Sequence, residues 1–298
     1  FVPRKKKTKY KTLDGKYVQS IQPGTVRDTR EFIRSHGEVK GFEVYGNNRY
    51  IYQYISDKYP ETEIKFDINK IKLVTIDIEV KSENGFPTVE KCDEEMLCIT
   101  LQDYATKRIL TFGVGAYHHN DPMVKYVQCN DEYDLLQHFM NFWSHDPPEV
   151  VTGWNCQLYD IPYLAKRITR VLGEKASKKL SPWGLVTHEE IYMQGRAHTV
   201  YDIGGVTVLD YLDLYKKFTY KAQESYRLDY IGEVELGQKK LDHSEYDTFK
   251  EFYTKAWNKF VDYNIQDVRI VDSLEDKMKL IELAITMAFD AKVNFTDV

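Results

Sequence analysis

Between Ile71 and Val80 the chain reads IKLVTIDIEV, an almost unbroken β-branched run. A strand covered on both faces needs such a run, so this segment predicts the central strand of a buried sheet. Leu97–Asp103 and Arg108–Val114 have the same character across a short polar turn, which predicts an antiparallel hairpin and, with the first run, a three-stranded meander. The period then changes. From Asp131 to Trp143 the apolar positions Leu135, Leu136, Phe139, Met140 and Trp143 recur at helical spacing behind an acidic first turn. Pro147 and Pro148 introduce a short apolar strand over Glu149–Gly153, and a helix opens near Pro162, a residue suited to a first turn, and ends at Gly173. Val206–Leu209 reads as a further strand leading into a helix over Tyr211–Phe218. A long helical pattern covers Thr248–Ala291, with a break expected around Asn264. The stretch up to about Phe66 is polar and tyrosine-rich, and only Asp28–Ser35 within it looks helical. Strands interleaved with helices after an antiparallel start predict an α/β domain with a mixed sheet.

Composition narrows the class. The 298 residues suffice for one large domain, or for one domain and part of another, and no run of about eighteen apolar residues is present to span a bilayer. With 42% hydrophobic and 29% charged residues the chain reads as soluble and globular. It opens on Phe1 without a charged-then-apolar leader, so the opening reads as an internal boundary rather than a targeting signal. Cys92, Cys98, Cys129 and Cys156 show no C-x-x-C spacing, which points to a reducing compartment and away from structural zinc. A net charge of −5 argues against coating nucleic acid by bulk electrostatics. Two local basic runs, Arg4–Lys11 and Lys166–Lys179, can hold phosphates or simply face solvent. The 23 tyrosines and 14 phenylalanines pack mostly in cores, so aromatic content alone assigns none of them to a ligand.

Candidate chemistry begins on the central strand. Asp77 and Glu79 lie two apart, so both project from one face of the sheet. Two carboxylates among Ile, Val and Leu are unfavourable unless cations or donors compensate them; a divalent metal is one explanation, and a polar strand face meeting solvent is the other. Asp160, five residues after Asn155, stands at the mouth of the Pro162 helix, where an aspartate commonly caps. Tyr263 and Asp267, four apart, share a helix face, as an ordinary surface pair also would.

Taken in order, these pieces form a pattern: D-x-E on a central strand, N-x4-D opening a later helix, and Y-x3-D on a late helix. The segments VTIDIEV, TGWNCQLYDIPY and YNIQDVRIVD resemble the three exonuclease motifs of family B DNA polymerases, in the subgroup with tyrosine in the third motif. LDYLDLYKKF at Leu209–Phe218 and SYRLDYI at Ser225–Ile231 resemble the intervening sequence of T-even-like phage replicative polymerases. DKYPETEIKFD before the central strand, and the helix ending near Ala291 and Lys292, resemble pieces of the polymerase N-terminal domain.

The resemblance implies a ribonuclease H-like fold, a mixed sheet flanked by helices. It divides the chain into a partial polymerase N-terminal domain (1–66), a 3′→5′ exonuclease domain (67–270) and a helical segment returning towards the N-terminal domain (271–298). No D-T-D-type palm motif occurs, so polymerisation is expected to be absent. The implied activity is proofreading: removal of nucleotides from DNA 3′ ends with two divalent ions, Mg²⁺ or Mn²⁺. By this likeness Asp77 bridges both ions, Glu79 and Asp267 serve the ion that activates water, Asp160 serves the other, and Tyr263 orients the water, a phenol being a poor base unaided. Asn155 either helps position the terminal nucleotide or is a turn residue. Phe86, in GFP, either packs on the separated 3′-terminal base or closes the core.

Thr187–Gly205 permits an extended hairpin, turning near Gln194–Ala197, of the kind that phage relatives use to part primer from template; a bland surface hairpin fits the same pattern. The implied partners are a single-stranded DNA 3′ end, primer-template DNA, the parent polymerase domains in cis, and a sliding clamp through regions outside this chain. No membrane is implied, and the place of action is the host cytoplasm. The competing readings are a self-standing exonuclease acting on DNA or RNA, and an inactive nucleic-acid-binding module.

Overall fold

A computed structural model of the chain describes residues 1–46, 50–60, 67–83, 85–193, 195–238 and 245–298. It falls into two compact units, 1–65 with 289–293, and 66–288 with 294–298. The boundary expected at Phe66, with most of the resembling segment before it, lies outside the described residues.

In the smaller unit β3 (Tyr17–Gln19) pairs antiparallel with both β1 (Val2–Pro3) and β2 (Tyr10–Lys11). Helix α1 (Val26–His36) opens on a capping box in which Thr25 and Asp28 satisfy each other's backbone N–H groups. A second helix, α2 (Tyr50–Lys58), corrects the expectation of a single short helix. Its sequence, YIYQYISDK, is rich in residues that favour strands, and that preference gave way here.

The larger unit is built on a six-stranded sheet. Its strands are β4 (Leu73–Val80), β5 (Met96–Asp103), β6 (Ile109–Gly113), β7 (Val124–Gln128), β8 (Val150–Gly153) and, after the hairpin β9 (Val186–Met193) and β10 (Arg196–Ile203), β11 (Thr207–Asp210). The spatial order is β11-β8-β4-β5-β6-β7. β4, β5 and β6 form the antiparallel meander, while β8 runs parallel to β4, β11 to β8 and β7 to β6, which makes the sheet mixed. β7, VKYVQ, buries only Val124, so its sequence carries little strand signal.

Helices cover both faces. Val74, Ile76, Ile78 and Val80 of β4 point into a core shared with α3 (Glu132–His145) and α4 (Asp160–Leu172), the latter followed by the single turn α5 (Glu174–Ser177). On the other side Leu73 meets α6 (Tyr211–Phe218) and α7 (Leu228–Leu236), and β5 meets α8 (Phe249–Lys255) and α9 (Trp257–Met278); α10 (Leu280–Ala291) follows. The long helical pattern does break, but at Ala256 and Lys279 rather than around Asn264. Lys279 adopts a left-handed φ of 57°, whereas Asn264 continues the helix because its side chain finds a tertiary partner instead of competing for its own backbone. Among the described residues no helix is long and apolar enough to cross a membrane.

Candidate metal and nucleic-acid site

The alternation of β4 settles which side chains meet. With Ile76 and Ile78 buried towards α4, Asp77 and Glu79 project to the opposite face, where α9 packs across β4 and β5. Asp77 is paired with Thr100 and Glu79 with Cys98, and the register shifts between Glu79 and Val80, so regular sheet ends beside the second carboxylate. From α9, Asp267 reaches the same place. One carboxylate oxygen from each of Asp77, Glu79 and Asp267 lies within 4.8 Å of the others. Tyr263, one turn earlier on α9, sets its ring edge-on to Phe252 of α8 with centroids 5.8 Å apart. Between them Asn264 donates from Nδ2 to Asp77 Oδ2 at 2.5 Å.

Asp160 arrives by another route. β8 pairs only with Leu73–Thr75 of β4, then turns away after Gly153. A side chain at Gly153 would meet the Ile76 carbonyl oxygen at 2.5 Å, so glycine is what allows this close turn. Beyond that point Asp160 Oδ1 accepts the Ile78 N–H at 3.1 Å, taking the place of a sheet partner. It does not cap its own helix, whose N-cap is Tyr159. Burial pushes the Asp160 carboxyl up to about 7, against the pull of the Ile78 N–H, with the charges of Asp210 and Asp267 adding to the rise. The structure therefore gathers three of the four expected carboxylates and sets the fourth on the backbone between the first two.

Asn155 has a left-handed φ of 65°, and its carbonyl accepts from Leu158 and Tyr159, so its backbone makes the β8–α4 turn. That turn is held by Asp210, a residue the sequence reading passed over. Asp210 accepts from Asn155 N–H, Gln157 N–H and, as the cap of α6, Leu212 N–H. Its position before a helical run was a visible capping signal, but its two contacts to the motif loop were not. Asn264 was visible only as an apparent helix breaker. Phe86 does not close the core: it is 81% exposed, with Tyr159 5.5 Å away between ring centroids.

The hairpin is present, β9 and β10 pairing from Val186↔Ile203 to Met193↔Arg196. Arg196 and Ala197, expected in the turn, belong to β10, and Gly195 has φ 76°; Gln194 lies outside the described residues. The α4 half of the second basic run is used internally, whereas Lys175, Lys178 and Lys179 are exposed. Lys166 donates to the Val89 carbonyl, Arg170 to those of Lys91 and Cys92, and Arg167 pairs with Glu132, so these residues pin the loop before β5. All four cysteines are buried free thiols.

Three convergent carboxylates, drawn from a strand and a helix, are a hard-oxygen donor set that could hold a divalent cation. The family described as DNA polymerase family B, exonuclease domain, matches residues 42–231. The DNA-directed DNA polymerase of Escherichia phage RB69 is 31% identical over 99% of this chain, and that of Enterobacteria phage T4 is 29% identical over 99%. The DNA polymerase catalytic subunit of Psittacid herpesvirus 1 is 27% identical over 70% of the chain. The chain spans 35% of the length of each of the two phage relatives and 20% of the herpesvirus one.

Proposed function

This chain belongs to the exonuclease domain family of family B DNA polymerases, and from that premise we propose that it removes nucleotides one at a time from DNA 3′ ends as a metal-dependent proofreading exonuclease. The observation that carries the proposal is the convergence of Asp77, Glu79 and Asp267 from elements far apart in sequence. Asp77, Glu79, Asp160 and Asp267 would hold two divalent ions, Mg²⁺ or Mn²⁺. When bound, these ions supply Lewis-acid stabilisation of the charge that develops on the phosphate and lower the pKa of the attacking water.

The remaining work belongs to side chains of the chain itself. The Tyr263 hydroxyl orients the attacking water, and the edge-on Phe252 ring limits where that phenol can swing. The exposed Phe86 ring offers a face for the 3′-terminal base, indifferent to its identity because every base has a π-face. Asn155, on a turn fixed by Asp210, positions the terminal nucleotide. The β9–β10 hairpin parts the primer end from its template. Residues 67–270 act as the exonuclease domain, with 1–66 a partial N-terminal domain and 271–298 a helical segment; parent polymerase domains in cis and a sliding clamp engaged elsewhere in the parent complete the assembly in the host cytoplasm. Neither competing reading is favoured by the family match.

The test uses a 5′-labelled single-stranded DNA with the purified chain, stripped of metal and then given Mg²⁺, Mn²⁺ or Ca²⁺. Shortening from the 3′ end in Mg²⁺ or Mn²⁺ is expected, with Ca²⁺ supporting binding better than cleavage. Nucleotide release without divalent ions, from the 5′ end, or equally fast in Ca²⁺ contradicts the proposal.

A further inference from the structure

Asn264 is polar where α9 turns its apolar side to the sheet. It is fully buried, and its amide Nδ2 donates to Asp77 Oδ2 at 2.5 Å. The carbonyl oxygen of the same amide is buried with no hydrogen-bond partner among the described residues. An amide satisfied on one side only weakens a fold, because desolvation of the other half is not recovered. Stability alone therefore does not account for an asparagine here, and its side-chain hydrogen bond runs to the site. Chemistry also sets the orientation of the amide. Turned over, it would press an acceptor against a carboxylate, which can only accept.

We infer that Asn264 is a positioning residue that holds the Asp77 carboxylate facing Glu79 and Asp267, an inference that rests on the metal-dependent reading above. Three like charges drawn together tend to rotate apart about their side-chain torsions. A donor on the neighbouring helix removes that freedom before any ion arrives. Hydrogen bonds of this kind, made to a ligand from outside, typically carry about 10–100-fold in metal affinity.

Asn264→Leu keeps much of the volume and removes both the donor and the unsatisfied acceptor. Three quantities are measured for wild type and variant: Mn²⁺ binding by calorimetry, the Mn²⁺ concentration at half-maximal nucleotide release, and the melting temperature without divalent ions. Binding is expected to weaken by about 10–100-fold, with the half-maximal Mn²⁺ concentration rising to match and the plateau rate largely recovered. In an Asp77→Asn background the second substitution should change Mn²⁺ binding no further. An Asn264→Leu protein that binds Mn²⁺ within about twofold of wild type, below the range such bonds carry, overturns the inference, whatever its melting temperature. If the leucine variant fails to fold, Asn264→Ala is read by the same criterion. Wild-type protein that neither binds Mn²⁺ nor releases nucleotides sinks the underlying function instead, so the two failures are distinguishable.

Discussion

On the α3–α4 face of the sheet a buried carboxylate meets a guanidinium. Glu132 accepts from Arg167 Nε at 2.7 Å and from Met96 N–H at 2.9 Å, and Arg167 Nη1 reaches the Cys92 carbonyl at 3.0 Å. On the α9 face three carboxylates meet one another. The first arrangement neutralises its charge within the chain and fastens a loop, a helix and a strand together. The second gathers like charge, whose mutual repulsion works against the fold. Charge thus fastens structure on one side of β4 and gathers at the proposed metal site on the other, and substitution should separate the two.

The largest effect is expected at the carboxylates. Asp77→Ala should lower nucleotide release by on the order of 10³-fold or more, while the melting temperature without metal stays level or rises as repulsion is relieved. A variant of unchanged circular dichroism that cleaves at the wild-type rate would remove the assigned site. The opposite pattern is expected at Arg167→Ala. Leaving Glu132 buried without its cation should destabilise the chain by about 3–5 kcal/mol in a denaturant titration, and the protein that remains folded should keep its cleavage rate. A stable but inactive Arg167→Ala protein would collapse the distinction.

Asp210 tests a third arrangement, a buried carboxylate held by three backbone N–H groups. Burial pushes it up to about 6, with those N–H groups pulling the other way. A carboxyl raised above its unfolded value near 3.8 favours the fold most below about pH 4, and that contribution is lost as the pH rises through about 6. Asp210→Asn cannot ionise, but it offers an N–H to Gln157 N–H where an acceptor is needed. Wild type should therefore exceed the variant in melting temperature by more at pH 5 than at pH 8, the gap narrowing by the equivalent of roughly 1–1.5 kcal/mol. A gap independent of pH would show that Asp210 does not titrate in this range.

The smallest effect is expected at the exposed Phe86. Phe86→Ala should leave stability within about 0.5 kcal/mol yet slow release from single-stranded DNA by an amount equivalent to about 1–3 kcal/mol, the usual contribution of a stacked base. Loss of stability without loss of rate would return Phe86 to a structural role.

Much of this design is legible in one dimension. The β-branched run of β4 announces a buried central strand, and within it the period of two places Asp77 and Glu79 on one side. Gly173 ends α4, and the 3.6-residue period stacks Tyr263 with Asp267. These are properties of short segments, set by backbone geometry and side-chain size, so the sequence by itself determined them. What it could not determine is where separate segments meet. Asp160 reads as a cap, yet it serves Ile78 because β8 stops short of the end of β4 and leaves that N–H open. Asn264 reads as a helix breaker, yet the helix runs on because Asp77 supplies its partner from 187 positions away. Arg167 reads as one of a basic cluster, yet packing of α3 on α4 buries it against Glu132. In each case the local pattern permits two outcomes of similar energy, and a hydrogen bond or ion pair formed only after the elements pack decides between them.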